Sequence, residues 1–128
     1  IRGIHLLHRA MAKDGPDGFS VGRFNELCYE FRERENKLLN WKNSEYARQE
    51  DKLQNFREIA ALMGCPMSHV ALMYMLKHVQ AVKKQVLAGS FAWAWETPEG
   101  EGLKQRIADI RNYLLLLAAC IDEEAGHE

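Results

Sequence analysis

Between residues 20 and 40, apolar side chains return every third or fourth position: Phe24, Leu27, Cys28, Phe31 and Leu38. That spacing follows one face of a helix turning about 100° per residue and predicts a core stripe. Ser20 can cap this helix, because its hydroxyl accepts an orphan backbone N–H. Before it, Gly15-Pro16-Asp17-Gly18 reads as a turn after a short helix over about 2–12. After it, "NWKNSEYARQED" is polar and predicts irregular chain. A third helix follows over about 50–63, with Leu53, Phe56, Ala60 and Met63 inward; Gly64 ends it and Pro66 bars its continuation. A fourth runs over about 68–88, with Ser68 as cap and Gly89 as stop. The last covers about 102–124, where Leu103, Ile107, Ile110, Leu114, Leu117 and Ile121 form a nearly unbroken stripe. "SFAWAWETPEGEG" reads as a loop, because the alternation of Phe91, Trp93 and Trp95 has no partner strand. The expected fold is all-α: one domain over 1–128, built as a helical bundle of four to five helices.

Two of these helices carry a second face. In "ALMYMLKHV", Leu72, Met75 and Leu76 join Val79, Val82 and Val86 on a side sufficient for core packing. Val70, Met73, Tyr74, Lys77, Ala81 and Lys84 lie on the other side, so Lys77 sits among apolar neighbours. His78, on the boundary near Ala71 and Met75, reads as a packing residue. On the last helix Arg106, Asp109, Tyr113, Leu116 and Cys120 flank the core stripe. A half-buried aspartate needs a partner. Lys77 is one candidate, and Arg106, three residues back, is the local one. Two readings stay open. Either an ion pair fixes the helix register, or Lys77, Asp109 and Tyr113 line a polar pocket between helices.

The totals narrow the classes. The chain has 128 residues with 17 basic and 18 acidic side chains, a formal charge of -1. That balance gives no electrostatic case for a nucleic-acid polymer or a membrane surface as partner. Cys28, Cys65 and Cys120 are odd in number, widely spaced and without a Cys-x-x-Cys pair. They are expected to be buried free thiols of a reducing cytoplasm. No run of 18 apolar residues occurs, so no membrane span is expected, and no signal-peptide pattern is present. His5 and His8 could share a metal but lack a third ligand. No P-loop, glycine fingerprint or Ser-His-Asp order occurs.

Three stretches, "YARQEDKLQNFREIAAL", "HVALMYMLKHVQAV" and "DIRNYLLLLAACIDE", resemble small phage and prophage proteins. Those proteins look like a divergent branch of the MazG-type all-α nucleotide pyrophosphohydrolases, some of whose relatives are called nucleotide-modification-associated domains. The resemblance covers about 43–124, and the first 40 residues have no counterpart in it. Hydrolytic members carry E-E-x-x-E on one helix and E-x-x-D on the next, four carboxylates that hold magnesium. Here the first motif falls on Met73, Tyr74 and Lys77, and the second on Arg106 and Asp109. Only Asp109 keeps its acid. One acid among two cations does not hold magnesium. The resemblance therefore implies a nucleotide-binding or nucleotide-processing protein without ordinary magnesium-dependent pyrophosphohydrolysis. Its only magnesium would arrive with the nucleotide.

In that reading Lys77 and Arg106 meet phosphate oxygens directly, Asp109 and Tyr113 complete the pocket, and Asn55 and Tyr46 stand at its rim. The alternative is a non-catalytic interaction module, in which the cations merely neutralise Asp109. An asparagine such as Asn55 reads a base edge or satisfies a loop backbone. Glu35, on the apolar stripe, is either a replacement acid facing the pocket or an acid shielded by Arg32 or Arg34. The Phe91, Trp93 and Trp95 loop either stacks on a base or covers the bundle end or an oligomer contact. MazG-like bundles are oligomers, and the second apolar faces agree with a homodimer or homotetramer.

Overall fold

The computed structural model describes residues 18–45 and 51–126. Four helices dominate them: α1 (Val21–Glu45), α2 (Gln54–Met63), α3 (Met67–Ala88) and α4 (Leu103–Glu124). The expected helix over about 2–12, with His5 and His8, lies outside the described residues, as does Tyr46.

Local chemistry explains the helix limits. The Arg23 N–H donates to Ser20 Oγ at 3.0 Å, the expected cap of α1. α1 then runs to Glu45, past the expected end at about Asn40 and into the polar stretch read as irregular. α2 begins at Gln54, later than expected, because Asp51 folds the preceding chain into a turn. Its carboxylate accepts the Leu53 N–H at 3.0 Å, and its carbonyl accepts the Gln54 N–H at 3.3 Å. Gly64, at φ 68°, ends α2 and returns its N–H to Ala60 at 2.8 Å. The chain then turns by 103° into α3. Ser68 is not the cap. α3 starts at Met67 behind Pro66, and the Ser68 N–H is taken by the Glu124 carboxylate at 3.1 Å.

Ser68 thus meets Glu124 at one end of the α3/α4 pair, and His78 meets Tyr113 farther along. The two helices run antiparallel. α2 crosses them, with the Phe56 ring 5.8 Å from Tyr74 and 6.4 Å from Tyr113. Arg57 forms two 2.9 Å bonds to the Glu123 carboxylate and one of 2.8 Å to Asp51. The core under α2 contains Leu53, Phe56, Ala60, Met67, Val70, Ala71 and Cys120. α1 rests on the first half of α4, where Phe31 is buried and Glu35 pairs with Arg111 at 3.1 Å.

Two expectations are overturned. Much of the stripes read as core on the last two helices faces outward: Leu72 is 40% exposed, Leu76 46%, Val86 52%, Leu114 49% and Ile121 50%, whereas Leu103 is buried and Leu117 packs against the core. Phe24 and Met63 are exposed as well. Periodicity finds an apolar face but not which of two faces the rest of the chain covers. Here α2 covers the face holding Val70, Tyr74, Tyr113 and Cys120. The segment read as loop also holds a hairpin, β1 (Glu96–Thr97) with β2 (Gly100–Glu101). It pairs locally, so it needs no distant partner; Thr97 Oγ1 donates to the Gly100 carbonyl at 3.0 Å. The cysteines are free, with Cys120 buried and Cys28 and Cys65 half-buried. No single described helix is long and apolar enough to cross a membrane.

Candidate functional site

The start of α4 is fixed by the loop before it. The Gly102 N–H donates to the Trp95 carbonyl at 2.9 Å, Leu103 to Ala92 at 3.0 Å and Lys104 to Ala94 at 3.2 Å. Backbone carbonyls thereby satisfy the orphan N–H groups of the first turn. The same join sets Glu101, the last residue of β2, beside the first turns of α4.

Arg106, Asp109 and Tyr113 then follow on successive turns of α4 and face α3. The His78 ring lies 5.1 Å from Tyr113, and Tyr74 lies 6.2 Å from it. Gln105, a buried polar residue, donates to Asp109 Oδ1 at 3.0 Å and accepts from Arg34 Nε at 3.0 Å. Arg34 reaches on to Glu96 at 3.3 Å. Asp109 is thus positioned from its own helix and, through Gln105, from α1.

The electrostatics centre on two acids. Burial pushes the Glu101 carboxyl up, and the Asp109 carboxylate, hydrogen-bonded to it, pushes it further. Arg106 and His78 oppose that rise, so both side chains lie near Glu101. The Tyr113 phenol is also raised, first by burial and then by Asp109 and Tyr74. Two polar atoms in this cluster are buried without a partner, His78 Nδ1 and Arg106 Nε. Such an atom costs about 1–3 kcal/mol unless water or a ligand satisfies it. An imidazole, a guanidinium and two carboxyl groups can together donate to and accept from one polar ligand.

These residues do not fit magnesium. Arg106 stands among the acids, and among the described residues no three His, Cys, Asp or Glu are grouped to hold a metal ion.

The residues singled out from the sequence separate here. Arg106, Asp109 and Tyr113 come together. Lys77 is exposed, its ammonium 5.6 Å from the Tyr74 ring centre, and among the described residues no ion pair joins it to Asp109. Asn55 is exposed on α2 and takes no part in these contacts, and Tyr46 falls outside the described residues. Glu35 faces Arg111, not the cluster. The tryptophans tie the loop to α1. Trp95 donates to Glu30 at 3.0 Å and packs 4.9 Å from Phe31, while the Lys104 ammonium lies 5.2 Å from Trp93 and pairs with Glu30.

Sequence reasoning missed Glu101 and the polar surroundings of His78. Glu101 sits in "EGEG", where no helical period reports it. His78 could have been found: it lies one turn beyond Tyr74, about 40° around the same helix. Compared with protein families, curated proteins and solved structures, the chain matches none.

Proposed function

We propose that the chain binds, or processes, a nucleotide at the α3/α4 polar cluster, without ordinary magnesium-dependent pyrophosphohydrolysis. The observation that carries this reading is the pair of buried, unpartnered atoms, His78 Nδ1 and Arg106 Nε, on facing helices. Arg106 offers a fork for phosphate oxygens. The Tyr74, Tyr113 and His78 rings offer apolar faces for a base. The Asp109 and Glu101 carboxyl groups offer acceptors for the donors of its polar edge. Lys77, over Tyr74, is within side-chain reach of the same end of the cluster. In this reading the chain is a cytoplasmic protein of phage type on a MazG-like scaffold, and its metal arrives only with a nucleotide.

The test is a thermal-shift screen with nucleoside mono-, di- and triphosphates, with and without magnesium. Binding at a hundredfold excess over Kd stabilises by about 2.7 kcal/mol, a readily measured shift. No shift with any nucleotide at millimolar concentration refutes the reading. Where binding is found, Arg106→Gln is expected to abolish it and leave helicity intact. Unchanged affinity in Lys77→Ala removes Lys77 from the site.

A second reading is favoured by a different observation, the outward apolar stripes of α3 and α4. In it the scaffold is an interaction module and the polar cluster only fixes helix register. Binding of a nucleotide to the native chain, lost in Arg106→Gln, excludes it.

A further inference from the structure

We propose that the base read at this cluster is guanine: Arg106 and His78 meet its O6 and N7 edge, and Asp109 and Glu101 meet its N1–H and its N2 amine. The inference rests on the nucleotide reading above and names the base within it.

The acid side of the cluster has a fixed hydrogen-bonding sense. Arg34 has donors and no acceptor, so the Gln105 atom 3.0 Å from its Nε is the amide oxygen. The Gln105 amino group is thereby turned to Asp109, whose Oδ1 accepts from it at 3.0 Å. Arg34 is itself held, 3.3 Å from Glu96 and 5.3 Å from the Trp95 ring centre, so the amide keeps one orientation. Asp109 therefore stands in this chain of bonds as an acceptor. Glu101 lies against it, its carboxyl pushed up by burial and by the Asp109 charge. Two acceptors side by side call for two donors on the ligand. Glu101 is exposed, so the acids are reached from solvent.

The other side has the opposite sense. Arg106 Nε can only donate, and it is buried without a partner. His78 Nδ1 is the second such atom, and an imidazole nitrogen can donate as well. Both side chains lie near Glu101, so cation and acids address one small group. On α4, Asp109 follows Arg106 by three residues, a spacing that sets β-carbons about 5–6 Å apart. That is the scale of a single purine edge.

The order of donors and acceptors then selects the base. Guanine presents two acceptors, N7 and O6, followed by two donors, N1–H and the N2 amine. A guanidinium fork pairs with O6 and N7, and the two acids accept from the rest. Adenine sets one amine between two acceptors. Cytosine has one amine beside two acceptors, and uracil has one N–H between two carbonyls. Hypoxanthine lacks only the N2 amine of guanine, and xanthine carries a carbonyl there. A fork that suits two phosphate oxygens suits O6 and N7 equally well. Lys77, over the Tyr74 ring, is then the cation left for the phosphates.

The experiment is calorimetry of the whole chain with the monophosphates of guanosine, inosine, xanthosine and adenosine (GMP, IMP, XMP and AMP). GMP is expected to bind at least about tenfold more tightly than IMP, because the analogue without the amine leaves a buried acceptor unpaired. It should also bind more tightly than XMP and AMP. Glu101→Gln replaces a group that only accepts by one that also donates. That variant is expected to weaken GMP, strengthen XMP and so narrow their ratio at least about tenfold, a shift that loss of structure alone does not produce. GMP no tighter than IMP overturns the guanine assignment and leaves the nucleotide reading standing. An unchanged GMP-to-XMP ratio in a helical Glu101→Gln variant overturns the assignment too. Binding of none of these nucleotides at millimolar concentration overturns both. Far-UV circular dichroism reports whether the variant stays helical; should it unfold, the GMP-to-IMP ratio of the wild-type chain decides alone.

Discussion

Replacing Gly102 by alanine tests how the loop before α4 holds the candidate site. Gly102 has φ -81°, a backbone conformation open to any residue. An alanine there meets no torsional penalty, and what it meets is the loop. Its Cβ would overlap the Ala94 carbonyl oxygen, lie 2.6 Å from the Ala94 carbonyl carbon and 3.4 Å from the Ala92 oxygen. Those two carbonyls accept the Leu103 and Lys104 N–H groups, and Gly102 itself donates to Trp95. The methyl and these bonds cannot coexist without movement of residues 92–95. Forcing an extra carbon into a packed place costs about 1–3 kcal/mol. Two or three weakened hydrogen bonds add about 0.5–1.5 kcal/mol each. We expect a loss of about 3–5 kcal/mol, a large part of the 5–15 kcal/mol that holds a typical domain. Urea unfolding followed by circular dichroism, with a slope near 2 kcal/mol/M, should show the midpoint fall by about 2 M. Gly22→Ala is the control, since a Cβ there has nothing within 4 Å; it should be neutral or stabilising by up to about 1 kcal/mol. A Gly102→Ala loss below about 1 kcal/mol would refute the close approach of the loop and the placement of Glu101 that depends on it.

Glu101→Gln should stabilise the chain at pH 7. The raised Glu101 value means the folded state binds its proton more tightly, so this group's contribution is present below its ordinary 4.5 and is lost as pH rises through the folded value. Glutamine keeps a donor for Asp109 without the charge. The gain should stay below about 1 kcal/mol because the group is partly exposed, and should vanish as pH falls toward about 4.5; equal pH profiles for the two proteins would show that the acids are not coupled. Arg57→Ala should lower the melting temperature by releasing Asp51 and Glu123 together. The loss should shrink in about 1 M salt, where screening acts within about 3 Å, and a salt-independent loss would assign it to packing. Asp51, held low first by its hydrogen bond to Arg57 and then by the Leu53 N–H, contributes stability above its ordinary 3.8 that is lost as pH falls through its lower folded value.

The helices were legible because their signals are local. Ser20, Gly64 and Gly89 mark a start and two stops where the chain has them. Ser68 misled because a distant carboxylate, Glu124, claims the N–H group that a cap would have served. The hairpin escaped because two-residue strands are too short for alternation to register. At the candidate site, Arg106, Asp109 and Tyr113 were legible because one helix spaces them at successive turns. Their partners were harder. Glu101 depends on a turn, a hairpin and three backbone bonds, none of which leaves a period. Lys77 was weighed as the partner of Asp109, but its long stem lets the ammonium reach solvent over Tyr74, and Asp109 turns to Gln105 instead.

α3 turns His78 toward α4 and its Leu72, Leu76 and Val86 stripe about 100° away. The polar cluster and the apolar face therefore share two rigid helices but few side chains. Covering the face would fix the α3/α4 spacing without occupying the cluster. That spacing sets the distance between His78 Nδ1 and Arg106 Nε, the two buried atoms without a partner.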